Sequence, residues 1–270
     1  MTLDNGYVTS EYLKKVAGRM RAFKQLSYAH MEIDQGDRVL DLGCGPGIDT
    51  LPLAALVGDS GKVIGIDSDE KMLAEAQQAA QDAPCHGWVE HHLGSAMELS
   101  LDNDMLDASR AERLLQVLPA ELERTILAEM LRVTRPGGRV VLADTDWSSA
   151  CVDFSNNGLE RRLMEFFSLR MRPNGFAGRH LWALCREQGL VDLRLDVVPM
   201  VQERLEDTPF GDWLINTARG EGVIDEDEAV QWRDELRQRE QTGRFYACVN
   251  MVIASGRKGM AINGERASDA

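Results

Sequence analysis

The fold is decided by the stretch Val39-Leu40-Asp41-Leu42-Gly43-Cys44-Gly45-Pro46-Gly47, in which an apolar strand leads directly into a G-x-G-x-G turn. A second apolar strand ends at Asp67, 20 positions after Gly47. Glycines after a buried strand let the backbone turn sharply and approach a ligand closely. An acid at the tip of the next strand can accept hydrogen bonds from ribose hydroxyls. The two strands therefore predict a site for a cofactor that contains a nucleoside.

The spacing of the glycines separates the cofactor classes. A nicotinamide dinucleotide site carries G-x-G-x-x-G/A, with a small third residue that allows close helix packing. Counted from Gly43 and Gly45, that third place falls on Ile48. A phosphate-binding loop needs a lysine after its second glycine, and none follows here. Neither of these two sites is predicted.

Length and cysteine content limit the architecture and the compartment. The chain has 270 residues, 44% of them hydrophobic, which suits one large domain or a domain with an insertion. No apolar run reaches the length of a membrane-spanning helix, and the first residues lack the layout of a signal peptide. The five cysteines are scattered, with no C-x-x-C pair. We expect no disulfide framework and a cytoplasmic location.

The net charge of -14 limits the partners. Affinity for nucleic acids depends on Lys and Arg neutralising phosphates, and anionic membranes attract basic segments. We therefore expect a small-molecule substrate, with neither a nucleic acid nor a membrane as partner. A homodimer stays open.

The hydrophobic pattern alternates between strands and helices. We predict one or two helices within residues 7–34, and a helix that Ser68 caps at its N-terminus. The other predicted helices cover 48–57, 120–133, 157–171 and 178–188. Strands are predicted at 38–42, 62–66, 88–93, 105–109, 139–143, around 193–197 and at 245–254. Alternation of this kind predicts a doubly wound α/β fold with a parallel sheet.

Three segments resemble one protein family. The pattern D-x-G-x-G-x-G at residues 41–47 resembles motif I of the class I S-adenosylmethionine (SAM) methyltransferases. Residues 106–110 match the fourth motif of that family, and 135–143 resemble its turn before strand five. The resemblance covers residues 36–145 and continues more weakly through strand seven. It is closest to methyltransferases that act on quinones and secondary metabolites.

The resemblance implies a Rossmann-like sheet of seven strands, with the last strand antiparallel and a helical insert between strands six and seven. The implied organisation is an N-terminal helical cap over residues 1–35, a methyltransferase domain over 36–256 with its substrate insert at about 203–243, and a flexible tail over 257–270.

Two positions depart from the family pattern. Ser95 stands where the family often has an acid that binds the adenine amino group, although a serine can also accept a hydrogen bond. Residues 110–113 read Arg-Ala-Glu-Arg, where the amide-directed variant has Asn-Pro-Pro-Tyr. This second difference speaks against methylation of nucleic acid bases or glutamine.

Topology separates a cofactor site from an acceptor site. Turns after strands one to four belong to the core repeat, whereas later turns and inserts are free to shape a substrate pocket. We expect SAM to bind at Asp41, Gly43, Gly45, Gly47, Asp67, Ser68, Met72, Ser95, Ala96, Met97 and Arg110. We expect the acceptor to contact Gln116, Trp147, Arg179 and Trp213.

The chemistry implied by SAM asks little of the enzyme beyond alignment. Its methyl group is already activated on a sulfonium, and proximity alone can supply about 7–11 kcal/mol. Candidates for a general base are Glu112, Asp144 and Asp146. We expect no metal, because His91 and His92 are adjacent on a strand and point to opposite faces.

Three functions stay open from the sequence. The first is methyl transfer to O, N or C of a small-molecule acceptor, a natural product or a quinone-like metabolite. The second is a rearrangement or cyclisation in an enzyme that binds SAM without transferring methyl. The third is a non-catalytic SAM-binding protein that modulates a partner.

Overall fold

The computed structural model describes residues 9–260. The predicted tail from residue 257 lies mostly beyond them. Within this part of the chain, no helix combines the length and the apolar character that a membrane span requires.

One mixed sheet carries the described part of the chain. Its strands are β1 (Arg38–Leu42), β2 (Lys62–Asp67), β3 (Val89–Leu93), β4 (Leu106–Glu112), β5 (Thr134–Val152), β6 (Val191–Gln202) and β7 (Ala247–Arg257). They lie in the order β3-β2-β1-β4-β5-β7-β6. The first five are parallel, and β7 runs antiparallel to both β5 and β6. The predicted fold, with its antiparallel last strand, is confirmed.

Helices flank the sheet and fill the insert. They are α1 (Ser10–Ala17), α2 (Arg21–Met31), α3 (Thr50–Val57), α4 (Glu70–Gln81), α5 (Glu123–Val133), α6 (Asn157–Arg170), α7 (Ala177–Glu187), α8 (Asp212–Gly220) and α9 (Glu226–Gln241). The first two precede β1, as predicted for the N-terminal part of the chain. The last two lie between β6 and β7, where the helical insert is predicted.

Strands β4 and β6 extend further than predicted, and three other details differ from the sequence-based expectation. The cap of α4 is Asp69, whose carboxylate accepts hydrogen bonds from the N–H groups of Lys71 and Met72, so Ser68 is not the cap. Strand β5 continues to Val152, because antiparallel pairing with β7 supports it far beyond the predicted end. Strand β7 likewise continues to Arg257, so the sheet includes the first residue of the predicted tail.

Three apolar clusters hold these layers together. One packs α5 and α7 against one face of the sheet, and another packs α2 and α3 against the opposite face. The third joins α6, α8 and α9 to the extended ends of β5 and β7. The extended part of β5 therefore supports a separate layer, which contributes to one side of the site described next.

Candidate active site

A cavity of about 540 Å³ lies at the carboxyl edge of the parallel strands. This is where open α/β sheets bind ligands, on either side of the point where strand order reverses. The turns after β1 to β4 supply much of the wall, and α1, α2, β5 and the segment before α8 supply the rest. The volume suits a small ligand, since such sites typically measure about 300–1,000 Å³.

Glycine is required in the turn after β1. Gly43, Gly45 and Gly47 all have positive φ, at 73°, 53° and 76°. A Cβ at Gly43 would lie 3.0 Å from Leu114, and one at Gly47 would lie 2.9 Å from Ala76 on α4. Gly43 and Gly45 line the cavity, whereas Gly47 lies outside its wall and lets α4 pack closely.

Asp67 lies in the wall at the tip of β2. Its Oδ2 accepts a hydrogen bond of 2.7 Å from the N–H of Gly45, and its Oδ1 accepts one of 2.9 Å from the N–H of Asp69. A carboxylate has about four lone-pair sites, so each oxygen retains acceptor capacity. Asp67 can therefore accept hydrogen bonds from a bound diol while it fixes the glycine turn.

The residues after β2 and β3 extend this part of the wall. Ser68 and Met72 line the cavity beside Asp67, and Ser95, Ala96 and Met97 line it from the end of β3. The Ser95 hydroxyl accepts a hydrogen bond of 3.2 Å from the N–H of Met97, which orders this turn.

Asp41 and Arg110 lie beneath the cavity and are not part of its wall. Arg110 is fully buried and donates from Nη1 to Asp41 Oδ1 at 2.8 Å and from Nε to Ser27 Oγ at 3.0 Å. It also binds Glu112. Burial raises the pKa of Asp41, although the Arg110 charge opposes this shift. Arg110 thus positions Glu112 from below.

Helix α2 contributes residues that the sequence analysis did not identify. Lys24 Nζ donates to Asp49 Oδ2 at 2.7 Å and to Glu112 Oε1 at 2.6 Å, and the Tyr28 hydroxyl donates to Asp49. Burial raises the pKa of Asp49, but Arg110 and Lys24 outweigh it and hold the value at about 2. Lys24 and Tyr28 stand at i and i+4, so one face of α2 presents both side chains to Asp49.

Of the three candidate bases, only Glu112 lines the cavity, and two cations engage it. Asp144 is buried and accepts hydrogen bonds from the N–H groups of Leu115, Gln116 and Thr145. Burial raises the pKa of Asp144 to about 7, against these N–H groups, which lower it. Asp146 lies outside the wall, paired with Arg179 at 3.0 Å. Asp144 thus holds the turn that carries Gln116.

Gln116 and Trp147 form the wall on the β4–β5 side. Trp147 Nε1 donates to Gln116 Oε1 at 2.5 Å. The guanidinium of Arg172, also in the wall, lies 4.5 Å from the centre of the Trp147 ring. Arg179 and Trp213 lie outside this wall, and Trp213 lines a second cavity of about 400 Å³ in the insert.

Within the described residues, no group of three or more His, Cys, Asp and Glu side chains could hold a metal ion. His91 is buried beside Thr50, with 3.0 Å between Nε2 and the threonine Oγ1, and burial lowers its pKa to about 4. Its neighbour His92 is more than half exposed. The two histidines point to opposite faces, as predicted.

Comparison with known proteins identifies the domain. The family described as "Methyltransferase domain" matches residues 39–138. A 37.1 kDa protein in transposon TN4556 of Streptomyces fradiae, which carries no assigned function, is 32% identical over 241 residues, 86% of this chain and 66% of that protein. A demethylmenaquinone methyltransferase of Bacillus subtilis is 37% identical over 115 residues, 43% of this chain and 48% of its own. The chain thus spans about half to two thirds of the length of these relatives.

Solved structures share the fold at low sequence identity. Geranyl diphosphate C-methyltransferase of Streptomyces coelicolor, solved with Mg²⁺, geranyl diphosphate and S-adenosyl-L-homocysteine, is 16% identical with a TM-score of 0.55, covering 92% of this chain and 86% of that one. The cyclase SpnF is 20% identical with a TM-score of 0.55, covering 89% and 82%. The strand order, the glycine turn and the matched domain agree. The matched domain at residues 39–138, together with the strand order and the glycine turn, supports the class I SAM-dependent methyltransferases as the class of this chain.

Proposed function

We propose that this chain transfers the methyl group of SAM to a small organic acceptor bound in the same cavity. The observation that carries this proposal is the composition of one wall. The glycine turn and Asp67 share a single cavity with Gln116, from the turn after β4, and with Trp147, from the extended part of β5. A donor and an acceptor can therefore meet in one cavity.

The β1–β3 side suits the nucleoside of SAM. Asp67 presents a carboxylate at the cavity surface for the ribose hydroxyls. Ser95, Ala96 and Met97 offer a polar group and an apolar surface to the adenine. Because Gly43 lacks a side chain and has a positive φ, the backbone there can approach the amino-acid end of the cofactor.

The opposite side suits an acceptor that is largely apolar. Met20, just before α2, and Pro209, from the insert, line the cavity together with Trp147. Such a surface favours a planar or hydrocarbon-rich metabolite of the natural-product or quinone-like type over a strongly polar one. We propose an acceptor of this class.

Methyl transfer would proceed by in-line displacement, with S-adenosylhomocysteine leaving. Glu112 is engaged by Lys24 and Arg110, and the other two candidate bases lie outside the wall. We therefore propose that the acceptor atom is nucleophilic through its own ionisation, as in an acidic phenol or an enolised carbon. The protein contributes alignment and exclusion of water.

The test is incubation with SAM labelled in its methyl group and a panel of phenols, quinones and amines. We expect label in the organic phase and a product heavier than the acceptor by one CH₂. Trp147→Ala should reduce this transfer strongly, whereas Trp182→Ala, on α7 outside the wall, should not. Bound SAM with conversion of an acceptor but no label transfer would instead indicate a rearrangement or cyclisation. If the chain binds SAM or supports label transfer only when a second protein is present, the result would favour a protein that modulates a partner.

A further inference from the structure

Two of the five cysteines lie opposite each other on the adjacent strands β5 and β7. Cys151, near the end of β5, is the direct antiparallel partner of Cys248, near the start of β7. The two are separated by 97 positions in the sequence (248 − 151), so their spacing gave no sign of this pairing. The adjacent pair, Val152 and Ala247, continues the same register.

Directly opposed positions in an antiparallel pair have the separation that a disulfide needs. Their Cα atoms lie about 4.5–5.5 Å apart, and disulfides span about 4.4–6.8 Å between Cα atoms. Opposed side chains also leave the same face of the sheet, so the two sulfur atoms share one side. The backbone would need little movement to allow a bond.

The accessibility of the two thiols favours reaction with a small molecule. Cys151 is exposed and Cys248 is half-buried, whereas Cys44 and Cys185 are buried. Burial raises the pKa of Cys151, and the neighbouring Cys248 and Glu160 raise it further, which places the second thiol within electrostatic range of the first. Neither cysteine lines the cavity assigned to the substrates, so the proposed methyl transfer leaves both unused.

We infer that Cys151 and Cys248 form a dithiol site that exchanges reversibly with low-molecular-weight disulfides such as oxidised glutathione. One cysteine thiolate attacks the small disulfide and releases one reduced thiol. The second cysteine then displaces the other half, which leaves as a second reduced thiol. The protein pair loses two protons and two electrons, and the small disulfide gains them.

The bond would join two segments that border the insert. Cys151 lies near the end of β5, just before the turn into α6. Cys248 lies near the start of β7, where the chain rejoins the sheet after α9. Oxidation would therefore fasten the base of the layer formed by α6, α8 and α9. This inference does not depend on the proposed methyl transfer, and its test needs neither SAM nor an acceptor.

The experiment treats the whole chain with oxidised glutathione, unfolds it in the presence of an alkylating reagent, and maps its peptides by mass spectrometry. We expect a cross-linked peptide pair that contains Cys151 and Cys248, formed with loss of two hydrogen atoms and abolished by dithiothreitol. Cys85→Ser should form the same cross-link and serves as the matched control. Cys151→Ser and Cys248→Ser should instead retain glutathione on the remaining cysteine.

The contrary results are equally defined. The inference is overturned if Cys151 and Cys248 of the wild-type protein both remain free after the glutathione treatment and are therefore both alkylated. Stable glutathione on Cys151 with Cys248 still free also overturns it, because a paired thiol would have displaced the adduct. The wild-type peptide map decides the matter even if a serine variant folds poorly.

Discussion

The two sides of the cavity are built by different means. The proposed cofactor side consists of the turns after β1, β2 and β3, and short sequence motifs encode it. The proposed acceptor side consists of Gln116, Trp147 and Arg172 with residues of the cap and the insert, which are brought together only by tertiary packing. The charged group formed by Lys24, Asp49, Arg110 and Glu112 lies at the boundary, where α2 meets β4. The comparison teaches that a recognisable cofactor motif says little about the acceptor.

The largest expected effect concerns the buried charges beneath the boundary. Arg110→Met leaves Asp41 and Glu112 without their guanidinium partner, and breaking a buried pair typically costs about 3–5 kcal/mol. Urea unfolding at neutral pH should show a loss of this size. The deficit should shrink in mild acid, because protonation neutralises Asp41.

The matched control is Arg162→Met, which removes an exposed pair with Glu228 and should cost less than about 1 kcal/mol. Equal losses in the two variants would mean that the buried group does not hold the boundary.

Asp67 tests the cofactor side alone. Asp67→Ala removes the carboxylate expected to accept the ribose hydroxyls, and a hydrogen bond to a charged group contributes about 1.5–3 kcal/mol. SAM affinity should therefore fall more than tenfold, as measured by calorimetry. Asp212→Ala, in the insert, should leave the affinity unchanged. If Asp67→Ala binds SAM normally, the nucleoside lies elsewhere.

Glu32 tests how firmly the cap is attached to the sheet. Its hydrogen bond from Arg139, with the charges of Arg257 and Arg194, lowers its pKa from 4.5 to about 2 against the effect of burial. A lowered carboxyl pKa stabilises the fold above the unfolded-state value, and this contribution disappears as pH falls through about 2. Because Glu32 is partly exposed, solvent screening reduces this contribution to the stability to about 1–2 kcal/mol.

Glu32→Gln should therefore be less stable than wild type at pH 6 and similar at pH 2, by urea unfolding at both values. Glu165→Gln, at an exposed position on α6, is the control. A deficit that persists unchanged at pH 2 would show that lost charge is not its cause.

The smallest expected effect lies on the acceptor side. Trp147→Phe keeps an aromatic ring in the wall but loses the hydrogen bond to Gln116, worth about 1 kcal/mol. The kcat/KM for the acceptor should fall about fivefold, while SAM affinity stays within twofold. Trp182→Phe should change neither. A parallel loss of SAM affinity in Trp147→Phe would place the tryptophan on the cofactor side.

The sequence predicted local features well and tertiary ones less well. Strand β1 and the positive φ of its glycines follow from residues that are adjacent in the chain. By contrast, Lys24, Asp49 and Arg172 enter the wall from separate segments, and no local pattern relates them to Glu112 or Trp147. Arg110 belongs to a recognisable motif and was therefore expected to contact the cofactor. Its hydrogen bond to Asp41 instead holds it beneath the cavity wall.

Calorimetric titration of the folded chain with SAM and with S-adenosylhomocysteine tests the central claim most directly, because the proposed chemistry requires both to occupy the cavity. We predict that each binds with a dissociation constant in the micromolar range, about -8 kcal/mol, and that Asp67→Ala weakens both. The absence of heat for either ligand, at concentrations well above that range and with unfolding data showing an intact fold, would contradict it.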